Sequence, residues 1–451
     1  MSEQTAELDK SLDILTDLIA IARRKGAEAA DAVRLQGSSL QVSIRQGETE
    51  EIERSEAHDL GLRVLIGKKQ AFVSSNDTRP ELLEELADRA IAMARNMPDD
   101  KFCGLADPDL LAREIPDLDL FDQTTLAADE LVQAAKATEN AALAVRGVTN
   151  SEGASASSGR MSIALATSDG FSHAYRTSNF SLSASVIAGE NLGMERDYEF
   201  DSRHFHVDMM TPEEIGRTAG ERAVARLNPR KMQSGKYPIV FSTRVSASIL
   251  GHLAGAVSGS AIARGASFLQ DAMETRIFKD GIRVVDDPHR LRGAGSKPFD
   301  GEGVANPRLD LVEDGILRSW ILNSATAKQL GLITNGRATR GTASPPGVGT
   351  TNLYMEAGLL SFRDLISDIK SGFYVTSLIG FGVNQITGDY SRGASGFWIE
   401  NGEIAYPVSE LTVAGNLRDM FLELTPADDL EFRRATNAPS LRIDGMTVAG
   451  T

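Results

Sequence analysis

Apolar residues first recur at three- and four-residue steps. Leu8, Leu12, Leu15, Ile19 and Ala22 form one stripe, which predicts an amphipathic helix ended by Gly26. The pattern then becomes strand-like over "AVRLQ", "LQVSIRQ", "TEEIERSE", "LGLRVLIG" and "QAFVSS", with Gly37, Gly47 and Gly67 as punctuation, as in an antiparallel meander. Helical spacing returns after Thr78-Arg79-Pro80-Glu81, which reads as a capping box with proline in the first turn, and its apolar positions include Leu82, Leu86, Ala90 and Met93.

The same order then recurs. A helix is expected over Thr125 to Val145, followed by strand-like runs "VTNSEGASASS", "RMSIALATSDG", "FSHAYRTSNFSLSASVIAG" and a stretch through His206, and then by a helix capped at Thr211-Pro212-Glu213-Glu214. Helix, meander, helix thus appears twice in the first 230 residues, which suggests a structural duplication with little identity between the copies. Residues 98–120, with Pro98, Pro108 and Pro116, read as a connector, and Leu227 to Pro238 as a linker. Beyond it glycine is frequent. Asp314-Gly315 and Asn401-Gly402 predict hairpins, Thr342 to Asn352 irregular chain, and helices are expected at Ser361 to Ser371 and Asn416 to Leu422. The expected fold is α+β. An N-terminal domain over 1–230, with subunits at about 1–97 and 120–230, precedes a β-rich, mostly antiparallel domain with a few helices over 231–451.

Composition narrows the function class. The chain has 451 residues, 41% hydrophobic and 24% charged, as in a globular protein. A membrane span needs about 18 or more consecutive apolar residues, and none exists. The N-terminus MSEQTAELDKSLD lacks a charged-then-apolar signal pattern, so a cytoplasmic location is expected. The net charge is −16, and no basic stripe with interleaved aromatics appears, which argues against direct nucleic-acid binding. Cys103 is the single cysteine, so an intrachain disulfide and every multi-cysteine zinc site are excluded.

Candidate chemistry is sparse. "ILGHLAGAVSGSA", Ile249 to Ala261, predicts an apolar helix around His252. Ser248, Ile249, Gly255 and Ala256 occupy the positions three and four residues away, and no Asp, Glu or Cys lies between Tyr237 and Gln270. A helical zinc site needs a second ligand on the same face, so His252 reads as a packed bystander. The remaining histidines are His58, His173, His204, His206 and His289. On a strand His204 and His206 would share a face and, with Asp201 or Asp208, could form a metal or hydrolytic site; solvent-facing alternation is the stronger reading. No Gly-x-Ser-x-Gly elbow is present, although a Ser-His-Asp triad need not be contiguous. Gly293 to Gly303 has glycine and lysine without the phosphate-loop spacing, and Pro298 stands where a helix would begin. The glycine-rich run Gly380 to Val408 is open to two readings, an edge that accepts an extended peptide as an added strand or, more strongly, a barrel corner that needs glycine for curvature.

"TGDYSRGASGFWIENGEIAYPVSELTVAGNLRDM", Thr387 to Met420, closely resembles the TldD/PmbA family, in its PmbA (TldE) branch. "LGLRVLIGKKQAFVSSND", "ARGASFLQDAMETRIF" and "FDGEGVANPRLDLVEDGILRSWILNSATAKQLG" extend the likeness over nearly the whole chain. The resemblance implies a two-chain metallopeptidase of TldD and TldE subunits that processes unfolded peptides, including modified antibacterial peptides. The family's older label, modulator of DNA gyrase, comes from genetic effects and does not require DNA contact. The TldD branch carries His-Glu-x-x-x-His on the His252 helix and a cysteine later in the chain. Alignment places Leu250 at the first histidine, Gly251 at the glutamate, Gly255 at the second histidine, and the cysteine near Leu378. The ligands and the base that would activate water are therefore expected to be absent.

On this reading the chain is a subunit without catalytic residues or metal of its own, paired with a TldD-like chain that supplies zinc, and holding an extended peptide. Gly388, Asp389, Tyr390, Ser391, Arg392 and Gly393 are the candidate substrate or interface segment. The alternative is a stand-alone homodimeric peptide-binding protein without peptidase activity. A third reading is an independent hydrolase using His204, His206 and a nearby Asp.

Overall fold

The computed structural model describes residues 3–450. Its N-terminal part begins with α1 (Glu3–Arg24), β1 (Ala29–Arg45), β2 (Glu48–Ile66), β3 (Lys69–Ser75) and α2 (Pro80–Asn96), and continues with α3 (Ala128–Leu143), β4 (Val148–Thr167), β5 (Ser172–Ala188), β6 (Glu195–Arg203) and α4 (Pro212–Ala225). The helix–meander–helix order thus occurs twice, but the two meanders are one antiparallel sheet of order β3-β2-β1-β4-β5-β6. Pairing of β1 with β4, from Asp31↔Thr167 to Ile44↔Ala154, joins them. Strand runs that the glycines suggested were separate are continuous. Gly37 lies within β1, opposite Ala57 and Met161, and does not break it.

Residues of like parity along these long strands build two cores on one face. Ala30, Ala32, Leu62, Val64, Ala164 and Ala166 pack beneath α1 and α2. Val42, Ile44, Ala154, Ala156, Ala184 and Val186 pack beneath α3 and α4. The α2 stripe is Leu83, Leu86, Ala87, Ala90, Ile91 and Ala94, while Met93 is exposed, one position off the expected phase. That helix is capped at Arg79 with no side-chain bond, so the expected Thr78 capping box does not form; at α4 the Thr211–Glu214 box does. Glu139, fully buried, accepts the Gln46 and Gly47 amides at 2.8 and 2.7 Å and so pins the β1–β2 turn to α3.

The other face of this sheet meets the C-terminal part. That part contains β7 (Gly235–Phe241), α5 (Thr243–Ala256), α6 (Gly259–Ala263), β8 (Val284–Asp286), β9 (Leu309–Glu313), β10 (Ile316–Leu317), α7 (Ser324–Leu330), β11 (Ala338–Thr339), β12 (Gly347–Val348) and β13 (Leu353–Met355). It ends with α8 (Phe362–Ile366), β14 (Ser371–Ile379), β15 (Asp389–Glu400), β16 (Glu403–Asn416), α9 (Leu417–Glu423), β17 (Leu424–Pro426), β18 (Thr436–Asn437) and β19 (Leu441–Ala449). The helix expected over Ser361 to Ser371 is shorter, because Ser371 already pairs with Glu400 in β14. The strands β16-β15-β14-β7-β19 are hydrogen-bonded in that order, and an additional β16–β19 pairing closes them into a barrel. Pairing is antiparallel except for β7–β14 and β13–β18. The linker expected to reach Pro238 already enters β7 at Gly235.

Contacts of two kinds, apolar and ionic, fasten the parts together. Phe299 packs edge-on against Phe171 and Tyr175 of the sheet. Asp31 of β1, only 3% exposed, binds Arg63 of β2 and Arg340 of the C-terminal part, the latter at 2.7 Å. The connector is likewise docked rather than free, with Ala112 N donating to Gly303 O and Ala305 N to Leu110 O.

Candidate functional site

Where the sheet is not covered by Phe299, its second face becomes polar. Ser43 pairs with Ser155 and Ser155 with Ser183, while Ser183 and Ser185 lie opposite Phe200 and Tyr198 of β6. Period-two alternation places all of them on the face away from α3 and α4. Opposite stand the first turns of α5, with Arg244, Ala247 and Ser248, and the barrel residues Thr376, Ser377, Leu378, Ile379 and Arg392. The space between is a cleft of about 1110 Å³. Bulges on β14, between Val375 and Ser377, and on β16, between Val408 and Leu411 opposite Ser395, bend the barrel wall here.

Bulge and closure explain the glycine-rich run. β15 is an interior barrel strand, hydrogen-bonded to β14 and β16, so it has no free edge for an added peptide strand; barrel curvature is the reading that holds. A Cβ on Gly396 would lie 2.0 Å from Tyr374 O, so only glycine fits where the strands cross so closely. The six candidate residues of this segment diverge. Gly388, at φ +84°, makes the turn into β15, where Asp389 accepts from Thr387 Oγ1 at 2.7 Å and Asn416 Nδ2 at 3.1 Å. Tyr390 is buried, Ser391 N donates to Gly382 O, and Gly393 lies against Ile379. Of these six, Arg392 lines the cleft.

The helix expected over Ile249 to Ala261 divides into α5 and α6. Leu250 points into the barrel core with no exposed surface, whereas Gly251 and Gly255 face outward, with nothing within 4 Å of a Cβ on Gly251. Leu378 lines the cleft. None of these positions carries a donor atom, so they do not fit a zinc ion. His252 Nε2 is buried without a hydrogen-bond partner, and its ring meets Tyr390 edge-on at 5.8 Å. Burial and the positive charge of Arg392 push its pKa down to about 4. A cationic neighbour and a single imidazole make a poor cation site.

The remaining sequence candidates are occupied otherwise. The strand expected to carry His204 and His206 ends at Arg203, so the two do not share a strand face. His204 Nδ1 lies 2.7 Å from Ser178 O and Nε2 3.2 Å from Gly293 O, which engages both ring nitrogens. His206 packs on Phe180. Asp201 binds Arg203 and accepts the Met210 amide, and Asp208 binds Arg292. His289 pairs with Asn306, His173 packs edge-on against Phe171 at 5.1 Å, and His58 is exposed. Gly293 to Gly303 forms packed turns in which Asp300, 3% exposed, accepts three backbone amides. Among the described residues no group of three or more His, Cys, Asp or Glu could hold a metal ion.

Of the cleft arginines the sequence reading singled out Arg392, whereas Arg226 and Arg244 escaped it. Asp197 gathers Arg226 at 3.2 Å and Arg244 at 2.5 Å, and Arg244 also donates to Tyr198 O. Residues so far apart in the chain give no local signal.

Three family models cover most of the chain, namely PmbA/TldA metallopeptidase domain 1 at residues 30–94, the central domain at 121–227 and the C-terminal domain at 234–450. Metalloprotease PmbA of Escherichia coli O157:H7 is 38% identical over 96% of this chain and 94% of its own. A Bacteroides thetaiotaomicron crystal structure named for modulation of DNA gyrase superposes with TM-score 0.90 at 28% identity, over 98% of this chain and 99% of that one. TldE from Thermococcus kodakarensis shares the fold at TM-score 0.86 and 19% identity, over 97% and 100% of the two chains. With its three domain models and a relative aligned almost end to end, the chain belongs to the PmbA/TldD metallopeptidase family.

Proposed function

We propose that this chain is the PmbA/TldE-type subunit of a two-chain cytoplasmic metallopeptidase that acts on unfolded or modified peptides. A TldD-like partner supplies the zinc and the glutamate base, and this chain holds extended peptide. The observation that carries the reading is that Leu250, Gly251 and Gly255 of α5 present no metal-ligating side chain. Gly251 and Gly255 stand exposed without a ligand atom, and His252 is walled in beside Arg392. A cleft large enough for several peptide residues persists beside it, lined by serine hydroxyls and arginines. Peptide main chain needs such donors and acceptors when it leaves water.

The test is to purify this chain and a TldD-like chain separately and together. The expected result is no stoichiometric zinc and no cleavage for this chain alone. The mixture should run as a heterodimer with zinc in the partner and cleavage of an unfolded peptide. Peptidase activity of this chain after removal of the partner would overturn the proposal, as would peptide binding by a homodimer that never associates with the TldD-like chain.

A further inference from the structure

The cleft does not end at β6. Phe200 and Arg434 also line a second cavity of about 700 Å³, between the end of β6 and the loops at residues 290–294 and 432–435. Its charge is one-sided. Arg203, Arg290, Arg292, Arg433 and Arg434 line it with Asp208 as the sole carboxylate, in a chain whose net charge is −16. Three of these guanidiniums are already paired with carboxylates, Arg203 with Asp201, Arg292 with Asp119 and Asp208, and Arg433 with Glu199 at 3.9 Å. Arg290 and Arg434 have no carboxylate in ion-pair contact among the described residues. Arg290 lies 3.4 Å above the Phe432 ring and Arg434 4.7 Å above Phe200.

Stacking orients these two side chains and leaves their N–H edges free. It does not supply a counter-charge to either of these two guanidiniums. An anion supplies that charge and occupies the free edges. A planar carboxylate matches the guanidinium fork.

We propose that this cavity is a carboxylate subsite, in which Arg290 and Arg434 bind a carboxylate of an extended peptide lying in the adjoining cleft. The inference rests on the peptide-holding reading above and adds the substrate class, peptides bearing an acidic group at one end of the bound segment. The group is either the free C-terminus or an Asp or Glu side chain, which present the same chemistry.

The test uses the full chain alone. A six-residue Ala/Ser peptide, labelled at its N-terminus, is prepared as the C-terminal acid, as the C-terminal amide, and as the amide with one internal glutamate. Fluorescence anisotropy reads binding to each. The wild type should prefer the acid, the glutamate peptide or both over the plain amide by about tenfold or more, and added salt should erode the preference. Acid-only preference assigns the C-terminus, and glutamate preference assigns a side chain. Arg290→Gln and Arg434→Gln should each abolish the preference. Arg290→Lys should retain part of it, which excludes misfolding as the cause, and exposed Arg113→Gln should leave it unchanged. Equal binding of all three peptides overturns the proposal, as does preference intact in both Gln variants, or binding of inorganic phosphate with none of the peptides. Because no partner or cleavage enters this assay, an acid preference that survives while the mixed chains fail to cleave would count against the proposed function and leave the subsite standing.

Discussion

Replacing Asp31 by Asn removes one negative charge from the joint between the sheet and the C-terminal part. The carboxylate and its two partners are almost fully enclosed, with side-chain exposures of 4% for Asp31, 4% for Arg63 and 3% for Arg340. Asn keeps the shape and one acceptor oxygen but leaves two buried guanidiniums without a counter-charge. Breaking a buried pair in this way typically costs about 3–5 kcal/mol. The retained acceptor argues for the lower end, about 3 kcal/mol. With a urea slope of about 3 kcal/mol/M, the unfolding midpoint should fall by roughly 1 M.

Urea titration at pH 7 measures this, followed in parallel by far-UV circular dichroism and by fluorescence of Trp320 and Trp398, both buried in the C-terminal part. Two probes are needed because a chain with several separate cores need not unfold in one step. Acid supplies an internal check. Burial alone would raise the Asp31 pKa, but Arg63 and Arg340 outweigh it and hold the carboxyl below its ordinary 3.8. A depressed folded-state pKa means that the contribution is complete above pH 3.8 and is lost as pH falls through the lower folded value. The gap between wild type and Asp31→Asn should therefore be full at pH 7 and narrow only below pH 3.8. A variant within 1 kcal/mol of wild type at pH 7, on the scale of an exposed pair, would refute the reasoning.

The other expectations concern single sites. His252 should titrate near pH 4 by NMR, because burial and Arg392 disfavour its cation; its folded pKa lies below the unfolded 6.5, so its neutrality erodes stability as pH falls from 6.5 toward 4, and a midpoint near 6.5 would contradict its burial. Gly61→Ala should destabilise by about 1–3 kcal/mol in urea, since the new Cβ would lie 2.3 Å from Thr342 O. Glu139→Leu should cost about 2–3 kcal/mol, because it leaves the Gln46 and Gly47 amides without their acceptor; a melting temperature unchanged from wild type would show that water replaces the carboxylate.

Local signals were legible where the physics is local. Of the α1 stripe, Leu15, Ile19 and Ala22 are buried and Leu8 and Leu12 half-buried, and both expected hairpin turns carry two positive φ angles, 49° and 75° at Asp314-Gly315 and 51° and 81° at Asn401-Gly402. Non-local pairing was not legible. Nothing near Asp31 announces that β1 will pair with β4 more than a hundred residues on, and barrel closure depends on Thr412 meeting Ala449. The cleft suffers most from this. Arg290 and Arg434 each look like an ordinary surface arginine in sequence, and only the fold sets them around one cavity.

Side-chain direction on α5 decides one last question, whether three substitutions could restore a metal site. Leu250→His, Gly251→Glu and Gly255→His would recreate in sequence the His-Glu-x-x-x-His motif that the resemblance implies for the TldD branch, though not its later cysteine. Positions five apart differ by about 140° around a helix. Here the helix is regular from Thr243 to Ala256, and that angle is visible as Leu250 with no exposed surface against an exposed Gly255. A histidine at 250 would enter the barrel core beside Ile249 and Leu253, away from the cleft. It would forfeit the packing of a buried leucine, about 2–5 kcal/mol. At 255 the ring would press on Gln385, whose side chain lies 3.3 Å from a Cβ there. The triple variant should therefore melt earlier than wild type and retain no stoichiometric zinc after dialysis. Tight zinc binding by it would mean that α5 can rotate or unwind to bring position 250 into the cleft.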